Sequence, residues 1–291
     1  MKEAAVSPFF AAAALFSGLI LFIILGGLIL KSSPLLRTAG LGEMLISSRW
    51  QPLQGLFGFL PFIAGTFWVT ISAMIIVIPV SILASIYLSE YAGPAVRKVV
   101  FPAIDLLAGI PSVVFGACGV IIVVPFIRDI LGPAVGVSTS GFSVLAGALV
   151  LAVMVFPIVI NITLEIFRSI PEEIREASLS LGATKWETVK HVVLRKGAPG
   201  IVTAVVLGFA RALGETMAVL MVVGNVAKSP ASLFDPAYPL PALIANNYGE
   251  MMSVPLYDSA LMLAALVLLG IVLFFNIIAK LAMGWIKKEM A

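Results

Sequence analysis

Six stretches of this chain are long and apolar enough to cross a lipid bilayer, and nothing else in the sequence narrows the fold as much. They run roughly over 8–30, 62–88, 99–127, 142–164, 200–224 and 259–279. At a rise of 1.5 Å per residue, each can cover about 30 Å of hydrocarbon. Lipid offers no partner for a free N–H or C=O, so runs of this length are expected as helices. Composition agrees: 61% of the 291 residues are hydrophobic and 11% charged, against about 25% charged in a soluble domain. The expected class is all-α, a polytopic membrane protein with six transmembrane helices.

Basic residues set the expected orientation. With the N-terminus inside, segments 1–7, 89–98, 165–199 and 280–291 carry twelve Lys and Arg, and 31–61, 128–141 and 225–258 carry five. The excess belongs on the cytoplasmic side, so both termini are expected to be cytoplasmic. The first run exceeds the roughly 7–15 apolar residues of a signal-peptide core. It is followed by "LKSSP" rather than a small-residue cleavage site, so it is read as a retained helix. The net charge of +3 fits topology better than nucleic-acid binding. The single cysteine, Cys118, has no partner for an internal disulfide.

The expected organisation is a first helix with an external interfacial loop over 1–61, a transmembrane core over 62–284 carrying a cytoplasmic loop at 165–199, and a short tail at 285–291. No G-x-x-x-x-G-K-S/T phosphate loop occurs, so any ATP used would be bound by another chain. Pro79, Pro111, Pro125 and Pro157 fall inside the apolar runs, where each can kink a helix. Gly109, Gly116 and Gly119 accompany Pro111, where the third helix is open to a break. Segment 47–66 reads as an interfacial stretch, and 227–251 as a Pro- and Asn-rich outer loop. Asp105 reads as a structural charge near the cytoplasmic interface, and Arg128 with Asp129 as the outer end of the third span. His191 stands alone and lacks the companion ligands of a metal site. Met217, Met221, Met251 and Met252 read as packing.

The loop "SIPEEIREASLSLGATKWETVKHVVLRKGAPG", 169–200, is the most articulate segment. Pro171 suits a first helical turn, and Glu172 and Glu173 complement the positive end of the dipole. Ile174, Ala177, Ser178 and Leu181 share one face. Gly182 is placed to end the helix in a left-handed turn. Thr184 and Glu187 form a capping box for a second helix. Two short helices joined at Gly182 are therefore predicted. They suit insertion into a groove on a partner, or serve equally as a plain connector.

The fifth run holds two charges, Arg211 and Glu215, beside an every-fourth small-residue stripe of Gly200, Ala204, Gly208 and Ala212. Such a stripe lets another helix pack closely. A charge at a membrane helix centre costs about 2.5–3.5 kcal/mol. Arg211 and Glu215 are therefore expected to face a wet or protein-lined cavity, and can pair with one another. One reading makes them a structural ion pair. The other has Arg211 donate to a passing anion while Glu215 orients it and accepts from a protonated oxyanion.

"EASLSLG", 176–182, resembles the cytoplasmic E-A-A-x-x-x-G motif of ATP-binding-cassette (ABC) importer permeases at Glu176, Ala177 and Gly182. Ser178 replaces the second alanine. The family's later I-x-L-P reads Val192, Val193, Leu194, Arg195, without the proline. "GFARALGETMAVLMVVGN" (208–225), "LLAGIPSVVFG" (106–116) and "FGFLPFIAGTFWVT" (57–70) are similar to segments of phosphate-specific ABC permeases, of the PstC type more than the PstA type.

This resemblance implies the ABC importer permease fold in a prokaryotic cytoplasmic membrane. It also implies inward phosphate transport by alternating access. Arg211, Glu215 and Thr216 would line the substrate pathway. Glu173, Glu176, Ala177, Ser178, Leu181, Gly182 and Ala183 would couple to an ATPase. The implied partners are a PstA-like second permease, an ATPase dimer that binds the ATP and Mg, and an external phosphate-binding protein. The other readings are a permease for molybdate or sulfate, a membrane scaffold or sensor for phosphate signalling, and an ATP-independent carrier or channel.

Overall fold

The computed structural model describes residues 2–38, 40–251 and 253–289. In chain order the helices are α1 (Lys2–Leu36), α2 (Leu41–Ile46), α3 (Leu60–Ile86), α4 (Pro94–Gly109), α5 (Ser112–Ala134) and α6 (Val144–Ser169). They are followed by α7 (Glu172–Ser180), α8 (Lys185–Leu213), α9 (Met217–Val222), α10 (Leu240–Asn247) and α11 (Tyr257–Glu289). Two-residue strands β1 (Trp50–Gln51) and β2 (Leu56–Phe57) pair antiparallel. Among the described residues, six helices are long and apolar enough to span a membrane: Leu15–Leu36, Leu60–Tyr91, Ser112–Ala134, Val144–Ser169, Lys185–Leu213 and Tyr257–Leu281.

The chain divides into two compact units, residues 1–60 with 246–270, and residues 61–245 with 271–291. In the first, part of the segment read as an interfacial stretch forms a small hairpin. Pro52 opens its turn and Gly55, at φ +72°, closes it in the left-handed region where glycine carries no steric penalty. The ring of Trp50 lies edge-on to Phe57 at 5.5 Å and to Tyr257 at 5.9 Å. The aromatic residues thus pack on one another.

In the second unit α6 is the central post. Val144, Ala148, Leu151, Ala152, Val155 and Val159 meet α3 through Val69, Ala73, Met74 and Val77, and α8 through Ala204 and Ala212. Ala146, Val150 and Met154 meet Val124 and Ile127 of α5 and Ala218 and Val222 of α9. A helix apolar on several sides belongs in the middle of a bundle. Ser143 starts α6, its hydroxyl accepting from the Ala146 N–H at 3.2 Å. Residues 233–237 fold back over this end. Val144 and Leu145 donate to the carbonyls of Asp235 and Leu233, and Ala237 donates to that of Val223.

Two spans differ from the apolar runs that announced them. The run 99–127 is divided at Ile110 and Pro111, both extended, so the third span is Ser112–Ala134 and α4 is a separate helix. Proline pushes the residue before it out of the helical region. The run 200–224 is also divided. Its helix begins back at Lys185, ends at Leu213, and resumes only at Met217. Wide i→i+5 turns occupy Gly119–Val123 and Ile127–Leu131, each ending two residues before a proline, Pro125 or Pro133. The missing N–H and the ring crowding at proline disturb the carbonyls one turn back, and a wider turn accommodates them. Pro79 and Pro157 lie inside helices that continue past them.

Candidate substrate pathway and coupling surface

The small-residue stripe of α8 faces α6, as its spacing suggested. A Cβ at Gly208 would stand 2.7 Å from Val159 Cγ2, and one at Gly200 would stand 2.5 Å from Ile166 Cδ1. Ala204 and Ala212 are buried in the same seam. This contact turns the opposite face of α8 outward, so Leu207, Arg211 and Gly214 are exposed.

Arg211 is therefore not sealed in dry packing. Among the described residues no carboxylate comes within ion-pair distance of it. Its position in the last turn of α8 favours a cation, because the carbonyl end of a helix is negative. The Arg211–Glu215 pair does not form. Four-residue spacing joins two side chains only along an unbroken helix, and this one ends at Leu213. Glu215 is half-buried, and its Oε1 accepts from the Ala218 N–H at 3.3 Å, capping α9. Half-buried Thr216 hydrogen-bonds through Oγ1 to the Gly214 carbonyl at 3.2 Å. Glu215 and Thr216 thus line the break between α8 and α9, and Arg211 stands one turn before it.

Beyond the break, α9 is keyed to α5. A Cβ at Gly116 would meet Met221 Sδ at 2.6 Å, and one at Gly119 would meet Val222 Cγ1 at 2.8 Å. These two glycines allow the close approach of α9 to α5. Gly109 has open space around it. Exposed Asp105 of α4 faces half-buried Asn161 of α6, whose Nδ2 donates to Oδ1 at 3.5 Å.

The loop after α6 folds largely as read. Pro171 sits one position earlier than expected, as the residue before α7 rather than in its first turn. Gly182 adopts φ +87°. Thr184 and Glu187 make the full capping box. The second helix, however, is not short. It runs through a wide turn at Val189–Val193 and continues as the fifth span. Glu173, Glu176, Ala177, Leu181 and Gly182 are exposed, and Leu181 is 90% accessible. Ser178 and Ala183 are half-buried, with Ser178 Oγ 2.9 Å from Thr188 Oγ1. Beside them lies a cavity of about 880 Å³ lined by Glu90, Arg97, Arg168, Glu173 and Lys185 among others.

Reading the sequence missed the residue that fixes this loop. Arg175 is 8% exposed and donates to the carbonyls of Phe167 and Ile170, each at 2.7 Å, and to Glu90 and Glu172. An arginine on an otherwise solvated helix looks like one more surface charge, and Glu90 is 85 residues away. Among the described residues no group of three or more His, Cys, Asp or Glu side chains is placed to hold a metal ion.

Residues 78–291 match the family described as "Binding-protein-dependent transport system inner membrane component". The chain belongs to that family. The permease is 40% identical over 240 residues to the probable ABC transporter permease protein YqgH of Bacillus subtilis, covering 82% of this chain and 76% of that protein. It is 37% identical over 249 residues to the phosphate transport system permease protein PstC of Xylella fastidiosa, covering 81% and 76%. A probable PstC of Methanocaldococcus jannaschii is 32% identical over 281 residues, covering 91% and 89%. Among solved structures, a chain of a bacterial alginate ABC transporter superposes with a TM-score of 0.64 at 17% identity, covering 94% of this chain and 95% of that one. A chain of the MetNI methionine ABC transporter gives 0.56 at 19% identity, covering 82% and 99%. These superpositions establish the ABC importer permease fold. The permease is a multi-pass inner-membrane subunit of PstC type. It is a transporter component rather than an enzyme.

Proposed function

We propose that this permease carries inorganic phosphate inward by alternating access, with both termini and the α7 loop on the cytoplasmic side. The observation that carries this reading is Arg211, an exposed guanidinium in an apolar span with no carboxylate in ion-pair reach among the described residues. A planar fork of N–H donors suits a tetrahedral oxyanion, which it can grip through two parallel hydrogen bonds. The Glu215 oxygen not engaged by Ala218 is available to accept from a protonated anion. Phosphate carries a proton at neutral pH and sulfate does not, so a carboxylate there favours phosphate. The relatives named as phosphate transport permeases support the same substrate.

Transport would require a PstA-like second permease on the exposed face of α8, an external phosphate-binding protein, and an ATPase dimer. The dimer would hold the ATP and Mg and engage Glu173, Glu176, Ala177, Leu181 and Gly182. Ser178 and Ala183 would hold the back of α7 in place.

The test is uptake of radiolabelled phosphate by the complete complex in vesicles, with sulfate and molybdate as competitors. Phosphate should accumulate and resist both competitors. Arg211→Ala should lower uptake by about a hundredfold, the scale of a lost charged contact to a desolvated anion, while the complex stays assembled. Molybdate or sulfate carried in preference to phosphate would refute the substrate. Unimpaired uptake by Arg211→Ala would refute the site.

A further inference from the structure

One planar guanidinium joins three elements at the base of the second unit. Arg175 Nη1 donates to Ile170 O at 2.7 Å and to Glu172 Oε2 at 3.3 Å. Its Nη2 donates to Phe167 O at 2.7 Å and to Glu90 Oε1 at 3.1 Å. Phe167 and Ile170 end α6, Glu172 begins α7, and Glu90 lies in the wide turn Tyr87–Tyr91 that finishes the second span. Glu90 also accepts from Ser89 Oγ at 3.0 Å, and the Ser89 carbonyl accepts from Arg97 of α4. The Arg175 and Glu90 side chains are each 10% exposed.

Chain continuity already ties α7 to two spans. Pro171 links it to α6, and the turn at Gly182 links it to α8. The second span has no such covalent path. Its end meets α6 and α8 in an apolar cluster of Ile86, Phe167, Ile170, Val189 and Val193, with one neutral hydrogen bond from Ser85 Oγ to the Ile160 carbonyl at 3.3 Å. Apolar contacts let surfaces slide, whereas a desolvated ion pair does not, because parting the charges strands each in a poor solvent. Such pairs add little net stability and are best attested as devices that fix register.

We infer that the Glu90–Arg175 pair is a coupling clamp, with Arg175 a positioning residue that carries displacement of α7 to the second span. This rests on the reading of α7 as the ATPase contact. A lysine cannot replace the arginine, since one ammonium cannot serve two carbonyls and two carboxylates laid out around a plane.

The test uses the complete complex with its binding protein in vesicles, comparing wild type, Arg175→Lys and the near-isosteric Glu90→Gln. Three quantities are read on each: subunit stoichiometry, binding-protein-stimulated ATP hydrolysis, and uptake. Coupling between protein sites typically amounts to about 5–150-fold, so hydrolysis should stay within about twofold while uptake falls about tenfold, raising ATP consumed per ion by that factor. Proportional loss of hydrolysis and uptake, no change in either, or failure of both variants to assemble each overturn the clamp. If only one variant assembles, its ratio decides. Uptake is followed with whichever oxyanion wild-type vesicles accumulate. A wrong substrate assignment then shows in wild type, and a wrong clamp shows only in the variants.

Discussion

At the scale of single residues, Arg211 and Glu215 have separate surroundings that their four-residue spacing disguised. Spacing speaks about side-chain proximity only where the helix is continuous, and here it is not. Glu215 works on the backbone of α9 through Ala218. Loss of a capping acceptor costs about 1 kcal/mol, so Glu215→Ala should lower the melting temperature slightly. Glu215→Gln, which keeps an acceptor oxygen, should not. If Glu215 also meets the anion, both variants should lose the preference for phosphate over sulfate, a change that competition in uptake assays would read. Asp235 makes a pH-dependent contribution. The Ala231 N–H first, then that of Ser232, hold its carboxyl below the usual aspartate range. Ionised Asp235 thus steadies the loop around residues 231–235 above about pH 4, its value in an unfolded chain. That contribution fades as pH falls through the lower folded value. Asp235→Asn should therefore melt below wild type at neutral pH, and the gap should close under strongly acidic conditions.

At the scale of elements, the best-read features were those with a local cause. Gly182 and the Thr184–Glu187 box involve residues within a few positions of each other, and both formed. The stripe on α8 depends only on helical periodicity, and it found α6. What stayed hidden depends on distant partners or on continuity. The interruption after Leu213 was overshadowed by the length of the apolar run, although Gly214 and Thr216 are ordinary stop and start residues. The Arg175–Glu90 pair needs chain reversal to bring its members together, and no periodicity announces that. The α6–α8 seam offers a sharp test. Gly208→Ala should cost about 1–3 kcal/mol, the usual penalty for overpacking, because Val159 and Val155 are branched and stiff. Val159→Ala in the same chain should recover part of the loss, as thermal unfolding in detergent would show.

At the scale of the whole molecule, this chain is an ABC importer permease subunit, and the proposed function places the ATPase at the exposed end of α7. Leu181 is a large apolar side chain at the end of α7 and is 90% exposed. Leu181→Glu should leave the fold and melting temperature unchanged, since the side chain touches little within this subunit. It should strip the ATPase from the purified complex, and subunit stoichiometry after affinity capture measures that directly. Retention of a full ATPase complement would remove α7 as the docking element.

The three residues Gly214, Glu215 and Thr216 between α8 and α9 have a mechanical meaning as well. An unbroken rod passes tilt at one end straight to the other. Here both lengths pack on α6, and the length above the joint is also keyed into α5 at Gly116 and Gly119. The joint frees the upper length to follow α5 in direction while α6 serves as the common support of both, so a push from the loop side reaches the upper length through α6 as well as along the chain.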